Sequence, residues 1–235
     1  MQQAARRHRE HVAGVTEVGK FTTRLLSIFR LSADTVQLDL ERPGSFWFVP
    51  GQGIRLRRGD LEREYTIVSG PADPRLTLCV QVVERGPFSP ALATLEVGSI
   101  LSFSGPHGYF TFQSAARPAV FVATGTGIAP FVSMVRSGVS GFTLLHGAAT
   151  GRDLHYREVL QPAALRYVGC ISREAPGPSS PPWMHRGRVT DFLRADLSPG
   201  ELDFYLCGRR EMVRDVTSIV DERFPGSRVF FEVFF

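Results

Sequence analysis

Arg63, Tyr65 and Thr66 place a guanidinium, a phenol ring and a hydroxyl within four residues. In a strand, side-chain alternation turns Arg63 and Tyr65 to one face. A cation for a pyrophosphate, an aromatic plate for a flat ring system and a hydroxyl for a ring nitrogen are what a flavin requires of its protein. A half-buried strand with a surface arginine fits the same residues, so this segment alone leaves both readings open. Further on, Arg85-Gly86-Pro87-Phe88-Ser89 runs into a short helical stretch, with Ser89 as the expected N-cap and Pro90 at the first helical position. Its first N–H groups would suit a phosphate.

The segment AVFVATGTGIAPF reads as a buried strand, the turn Gly125-Thr126-Gly127 and a helix beginning near Ala129. Such a turn makes a phosphate cradle, because glycines permit close backbone approach and the first helical N–H groups lack partners. The spacing departs from the GxGxxG dinucleotide fingerprint, and a plain tight turn also fits it. A dinucleotide fold usually carries an acidic residue at the end of its second strand, whereas FTLLHGA ends in His146-Gly147-Ala148. Ser172, Arg173 and Arg188 instead offer a hydroxyl and two guanidinium groups that could converge on a ribose 2′-phosphate, which favours NADPH over NADH. The alternative is two ordinary surface arginines.

Cys79, Cys170 and Cys207 lie far apart with no CxxC and no His at ligand spacing, so no metal site is expected. A redox cofactor would then be organic or haem. Sparse cysteines and an N-terminus without an apolar core segment lead us to expect a cytoplasmic protein. No stretch approaches the roughly 18 uninterrupted apolar residues of a membrane span. A net charge of +4 suits an acidic partner. Most of the arginines read as a solvated surface, and Arg6, Arg7 and Arg9 as part of a flexible tail over residues 1–20, so nucleic acid is not expected.

These groups need elements to hold them. Residues 21–116 show short β-type runs punctuated by turns, namely TVQLDL, RPGSFWFVPGQG, IRLRR, REYTIVSGP, RLTLCVQVV and SILSFSGPHGYFTF, which predict an antiparallel β-barrel. From residue 117 to 235 continuous apolar runs alternate with helix candidates at about Ala129 to Arg136, Arg152 to Leu160, Val189 to Leu193 and Arg210 to Glu222. That rhythm predicts a parallel-sheet, Rossmann-like nucleotide-binding domain. EAPGPSSPPWMHRG reads as a loop.

RxY[ST] at Arg63 to Thr66, GPxGxF at Gly105 to Phe110, GTGIAP at Gly125 to Pro130 and CGxxxM at Cys207 to Met212 occur in this order. Together with HGAATGRDLHY, ISRE and the chain end Glu232-Val233-Phe234-Phe235, they resemble the bacterial ferredoxin (flavodoxin)-NADP reductases over about Thr22 to Phe235. The resemblance implies that Arg63, Glu64, Tyr65, Thr66, Val80 and Thr126 bind FAD, with Arg85, Gly86, Pro87, Phe88 and Ser89 around its pyrophosphate. Tyr65 would stack on the flavin, Thr66 would lie near its N5, and Phe234 and Phe235 would supply the terminal aromatics. It also implies that Gly125, Thr126 and Gly127 take the NADPH pyrophosphate, and that Ser172, Arg173 and Arg188 read its 2′-phosphate. Cys207, Gly208 and Met212 would also bind NADPH, Cys207 and Glu232 would flank its nicotinamide, and Thr66, Cys207 and Glu232 form the implied catalytic set. Bacterial members often carry an arginine where this chain has Ala148-Ala149-Thr150, and a Tyr or Trp in the terminal pair where it has Phe-Phe.

The implied activity is hydride transfer from NADPH to FAD, then single-electron delivery to a ferredoxin or flavodoxin by a monomer or weak dimer. Arg55, Arg57 and Arg58 are candidates for a docking surface facing an acidic carrier. A reductase component of an oxygenase or hydroxylase system shares both expected domains, and a non-catalytic flavin and nucleotide sensor would bind the same groups without turnover.

Overall fold

A computed structural model describes residues 18–113, 117–174 and 180–234. Arg6, Arg7 and Arg9, the expected boundary at residue 116 and the terminal Phe235 lie outside the described residues.

The first half is a six-stranded antiparallel sheet in the order β4-β3-β6-β1-β2-β5. Its strands are β1 (Gly19–Arg30), β2 (Thr35–Glu41), β3 (Gly53–Arg58), β4 (Leu61–Thr66), β5 (Arg75–Gln81) and β6 (Ile100–His107). The first part of β1 pairs with β6 and the second with β2, the handover falling at a register shift between Leu25 and Ser27. A bulge there bends the strand and strengthens its twist. The sheet therefore curls until its edge strands meet at a bridge between Ile67 and Leu78. Alternating inward residues, among them Leu25, Leu38, Leu56, Leu78, Val80 and Phe103, fill the interior.

Two expectations change here. The twelve-residue β1 was absent from the expected runs, because its apolar pattern is broken where it passes from one partner to the other. RPGSFWFVPGQG is not a strand but a turn-rich connection. Pro43 and Pro50 lack ladder donors and Gly51 has φ 101°, while Phe46 and Phe48 plug the barrel.

The second half is a parallel sheet in the order β10-β9-β8-β7-β11-β12. It comprises β7 (Ala119–Thr124), β8 (Thr143–Ala148), β9 (Arg166–Ile171), β10 (Met184–Arg186), β11 (Asp203–Arg209) and β12 (Arg228–Phe234). The helices are α1 (Ser89–Ala93) in the barrel domain, then α2 (Ala129–Arg136), α3 (Arg157–Ala163), α4 (Val189–Ala195) and α5 (Arg210–Arg223). α2 and α3 bury Phe131, Met134 and Leu160 on one face of the sheet, and α4 and α5 bury Phe192, Val216 and Ile219 on the other. The chain runs outward from β7 through β8 and β9, then returns to β11 on the far side of β7. Ligands of open α/β sheets bind at such a reversal, outside the carboxyl ends of the strands.

The helix expected from Arg152 starts only at Arg157, behind a 3₁₀ turn at Gly151–Asp153, because Tyr156 adopts φ 59° and interrupts the helical path. The supposed loop around Trp183 contains β10, which extends the sheet by pairing with β9. Among the described residues, no helix is long and apolar enough to cross a membrane.

Candidate active site

On the barrel side, Gly53 pairs with both Thr66 and His107, so the ends of β3, β4 and β6 converge. A Cβ on Gly53 would lie 2.7 Å from the Tyr65 carbonyl oxygen, so glycine is required for this close approach. The Tyr65 and Phe88 rings are near-parallel at 28°, with centroids 6.3 Å apart. Burial pushes the Tyr65 phenol up to about 12, keeping it neutral, with the Arg63 charge opposing. Arg63 is exposed and donates to the Glu62 carbonyl at 2.7 Å, while Glu64 pairs with Arg55 at 3.4 Å.

Around the second expected phosphate contact, Arg85 is exposed and Phe88 is buried. The N-cap of α1 is Phe88, without a side-chain cap, so the expected Ser89 cap is not formed. The Ser89 hydroxyl instead accepts the Val83 N–H at 2.9 Å and closes the Arg85-Gly86-Pro87 loop. Pro90 occupies the first turn as expected. The Val80 side chain lies in the barrel core, so it can meet a ligand only through its main chain.

On the nucleotide side, β7 ends at Thr124 and the chain turns at Gly125, with φ 56°. A Cβ on Gly125 would meet nothing within 4 Å, so the turn faces open space. Gly127 does different work: its Cβ would stand 2.3 Å from the Cys207 carbonyl oxygen. Gly208, with φ 144°, would bring a Cβ to 2.3 Å from Thr124 Oγ1. Gly127 and Gly208 thus interlock the β7 turn with the end of β11, and Gly125, beside the half-exposed Thr126, leaves the approach clear. Met212, on the first turn of α5, is buried in the core on that face of the sheet.

The two sides meet at Glu232. β12 pairs with β11 so that Glu232 stands opposite Cys207. Thr66 Oγ1 approaches Glu232 Oε2 at 3.4 Å, and the Cys207 thiol approaches the same oxygen at 3.9 Å. Burial, with the nearby Glu64 charge, raises the Glu232 carboxyl to about 7 against the two hydrogen bonds that lower it. Burial also drives the Cys207 thiol well above its usual range, so it stays protonated. Thr66 and Cys207, from two other strands, therefore flank a Glu232 carboxyl group able to gain or lose a proton near neutral pH. Phe234, half-buried and opposite Arg209, follows at the strand end.

Ser172 and Arg173 leave the end of β9, their N–H groups bonded to the Ala148 and Ala149 carbonyls at 3.1 and 2.9 Å. Arg186 pairs with Ile171, Gly187 N–H returns to the Ile171 carbonyl at 2.9 Å, and Arg188 opens α4. The same end of the sheet thus carries Ser172, Arg173 and Arg188, all exposed. It adds exposed Arg186, hidden in the sequence because its strand was read as loop.

Sequence reasoning also missed Gln52 and Tyr156. Gln52 accepts the Val49 N–H at 2.8 Å and donates to the Gly108 carbonyl at 3.1 Å, fixing the GPHGYF loop beside Glu232. The order of the two glycine-rich loops carries no signal for that contact.

The residues present fit a flavin and a dinucleotide: a buried hydroxyl and carboxyl at the strand ends, an aromatic plate beside them, and a glycine turn open to a phosphate. Comparison with known proteins agrees with this division. Residues 22–112 match the oxidoreductase FAD-binding domain family, and residues 121–218 match the oxidoreductase NAD-binding domain family. Over 215 residues the chain is 34% identical to ferredoxin–NADP reductase B of Sorangium cellulosum, covering 82% of this chain and 88% of that one. It is 28% identical to the toluate 1,2-dioxygenase electron transfer component of Pseudomonas putida, covering 87% of this chain but 64% of that relative's length. The fold matches a Neisseria gonorrhoeae ferredoxin NADP+ reductase solved with FAD and NADP, with a TM-score of 0.75 and 20% identity over 92% of this chain and 99% of that one. Both halves and their order make this chain a flavin-dependent oxidoreductase of the ferredoxin–NADP reductase family.

Proposed function

We propose that this protein passes electrons from NADPH to a ferredoxin or flavodoxin, with FAD held at the junction of Thr66 and Glu232. The observation that carries the reading is the convergence of Thr66, Cys207 and Glu232, drawn from both domains, beside a nucleotide turn. When bound, the flavin accepts a hydride from the pyridine nucleotide and releases electrons singly.

The chain's own part is orientation and charge. Tyr65 covers a flat ring, Arg63 reaches for a pyrophosphate, and Thr66 offers a hydroxyl from the strand end. Gly125 and Thr126 admit the pyrophosphate of the nucleotide, while Ser172, Arg173, Arg186 and Arg188 surround its 2′-phosphate. Glu232, with its carboxyl near neutrality, holds or releases a proton at Oε2 beside Thr66. Cys207, neutral and buried, supports that carboxyl without adding charge.

The test loads the protein with FAD and follows NADPH-dependent reduction of purified ferredoxins and flavodoxins. The proposal expects rapid transfer to at least one of them. It also expects charge reversal at Arg55, Arg57 and Arg58 to weaken that transfer most at low salt, as steering by exposed charges requires. Flavin reduction with no transfer to any external carrier would favour a nucleotide sensor. The oxygenase reading keeps a specific support: several relatives are named as electron transfer or reductase components of oxygenases. Selective transfer to an oxygenase-linked carrier would decide for it.

A further inference from the structure

Tyr156 alone among the described non-glycine residues has a left-handed backbone, φ 59° and ψ 20°. Side chains resist that conformation, so surrounding contacts must hold it. The turn sends the Tyr156 ring out of the nucleotide-binding domain and against the barrel. Its hydroxyl donates to Gln37 Oε1 on β2 at 3.1 Å. The ring is 6% exposed and shares one apolar cluster with Val68 and Cys79 of the barrel and with Phe131, Met134 and Leu160 of the second domain.

Gln37 is itself fixed. Its amide nitrogen donates to Asp39 Oδ1 at 3.0 Å, and the same oxygen accepts from Thr77 Oγ1 at 3.0 Å. Elsewhere on the interface, the buried Ser133 hydroxyl donates to the Ser69 carbonyl at 2.8 Å, and Arg136 pairs with Asp73 at 3.2 Å. Those two contacts both arise from α2, so by themselves they leave the domains able to rock about that helix. Tyr156, entering from the start of α3, supplies a separate point of attachment and, with the Thr66–Glu232 contact at the strand ends, restricts that freedom.

Tyr65 and Thr66 lie on one side of this interface, and Gly125, Cys207 and Glu232 on the other. Transfer between groups held by separate bodies is sensitive to sub-ångström changes in their separation. We propose that Tyr156 is a positioning residue whose bond to Gln37 sets the angle between the domains and thereby the spacing of flavin and nicotinamide. The inference rests on the functional reading above for its second half. The clamp itself stands on geometry.

The experiment compares Tyr156→Phe, which removes only the hydroxyl, with Gln37→Leu and with the double variant. Each is followed by amide hydrogen exchange and by single-turnover flavin reduction with NADPH and its 4-deuterated form. Faster exchange along β2 and at the start of α3 is expected in both single variants, with FAD retained. Flavin reduction should slow about tenfold with a larger share of the deuterium isotope effect expressed, and KM for NADPH should stay nearly unchanged. The charge-transfer absorbance of the flavin with NADP+ should weaken. The double variant should be no worse than either single one, since all three remove the same bond. Tyr156→Gly adds a control: it relaxes the backbone yet loses the clamp, so it should gain no rate. Wild-type exchange in Tyr156→Phe, or effects that simply add in the double variant, would overturn the clamp. Loosened exchange with unaltered isotope effect and charge-transfer absorbance would overturn its role in spacing. A wild-type flavin that NADPH fails to reduce would count against the functional reading, leaving hydrogen exchange to judge the clamp.

Discussion

The hydroxyl of Thr66, at the end of a barrel strand, lies 3.4 Å from the carboxylate of Glu232 on the last strand of the second domain. These residues stand 166 positions apart in sequence, and only the packing of the two domains brings them together. Any ring system seated on Thr66 is therefore within reach of Cys207 on β11 and Glu232 on β12.

A hydride passed from nicotinamide to flavin would leave positive charge on the donor and place negative charge on the acceptor, and an ionised Glu232, 3.4 Å from Thr66, would oppose the acceptor's charge. With its carboxyl raised to about 7, chiefly by burial, Glu232 is neutral below that pH and charged above it. Flavin reduction by NADPH should therefore fall as pH rises through about 7, and Glu232→Gln, permanently neutral, should flatten the profile. Stopped-flow reduction across pH checks this, and an unchanged inflection in the variant would reject the assignment.

Gly125 and Gly127 should fail differently when replaced by alanine. Gly127→Ala drives a methyl group into the Cys207 carbonyl, so it should lower the melting temperature and displace the turn from β11. Gly125→Ala meets no neighbour and bears only the cost of a positive φ, about 1 kcal/mol. It should weaken NADP+ binding while leaving FAD content intact. Calorimetric melting and titration with NADP+ separate the two.

Arg188 is exposed at the start of α4, where its main-chain N–H donates to Asp191 at 2.7 Å and its carbonyl accepts from the Asp191 and Phe192 N–H groups. If its guanidinium reads the 2′-phosphate, Arg188→Ala should raise KM for NADPH about tenfold and leave that for NADH unaltered, in line with the loss of a charge-assisted hydrogen bond. Arg186→Ala, at the adjacent strand end, should give a smaller effect of the same sign. Equal changes toward both nucleotides would show that the arginines act elsewhere.

Much of this was legible because it rests on local rules. The helix of α2, from Ala129 to Arg136, and the run of α5 follow from apolar spacing after a glycine or strand end. Glu232 and Cys207 were found through ordered motifs and stand opposite each other in the pairing of β11 and β12. The rest depends on partners distant in sequence. β1 divides its pairing between two neighbours, and β10 is a strand only because β9 lies beside it. Tyr156 interrupts a helical pattern through a contact with Gln37 that no periodicity encodes. Ser89 reads as a helix cap, yet its hydroxyl serves the preceding loop.

His146 is completely buried, with Nδ1 3.0 Å from the Tyr167 hydroxyl and Nε2 unpartnered among the described residues. Burial depresses its imidazole from 6.5 to about 3, with His155 adding to the effect. Between those values the unfolded chain binds a proton that the folded chain does not, so stability should rise with pH from about 3 to 6.5. His146→Leu should flatten that slope, whatever its own stability. Denaturant melts at several pH values test this, and an unchanged slope would show that His146 is not the group responsible.

The central claim is most directly tested by mixing FAD-loaded protein with NADPH or NADH under anaerobic conditions and following the yellow flavin absorbance. Rapid bleaching is expected, faster with NADPH, and slower in Thr66→Val and, below pH 7 where the wild-type carboxyl holds its proton, in Glu232→Ala than in the wild type. A protein that takes up no FAD, or a bound flavin that stays oxidised with both nucleotides, would contradict it.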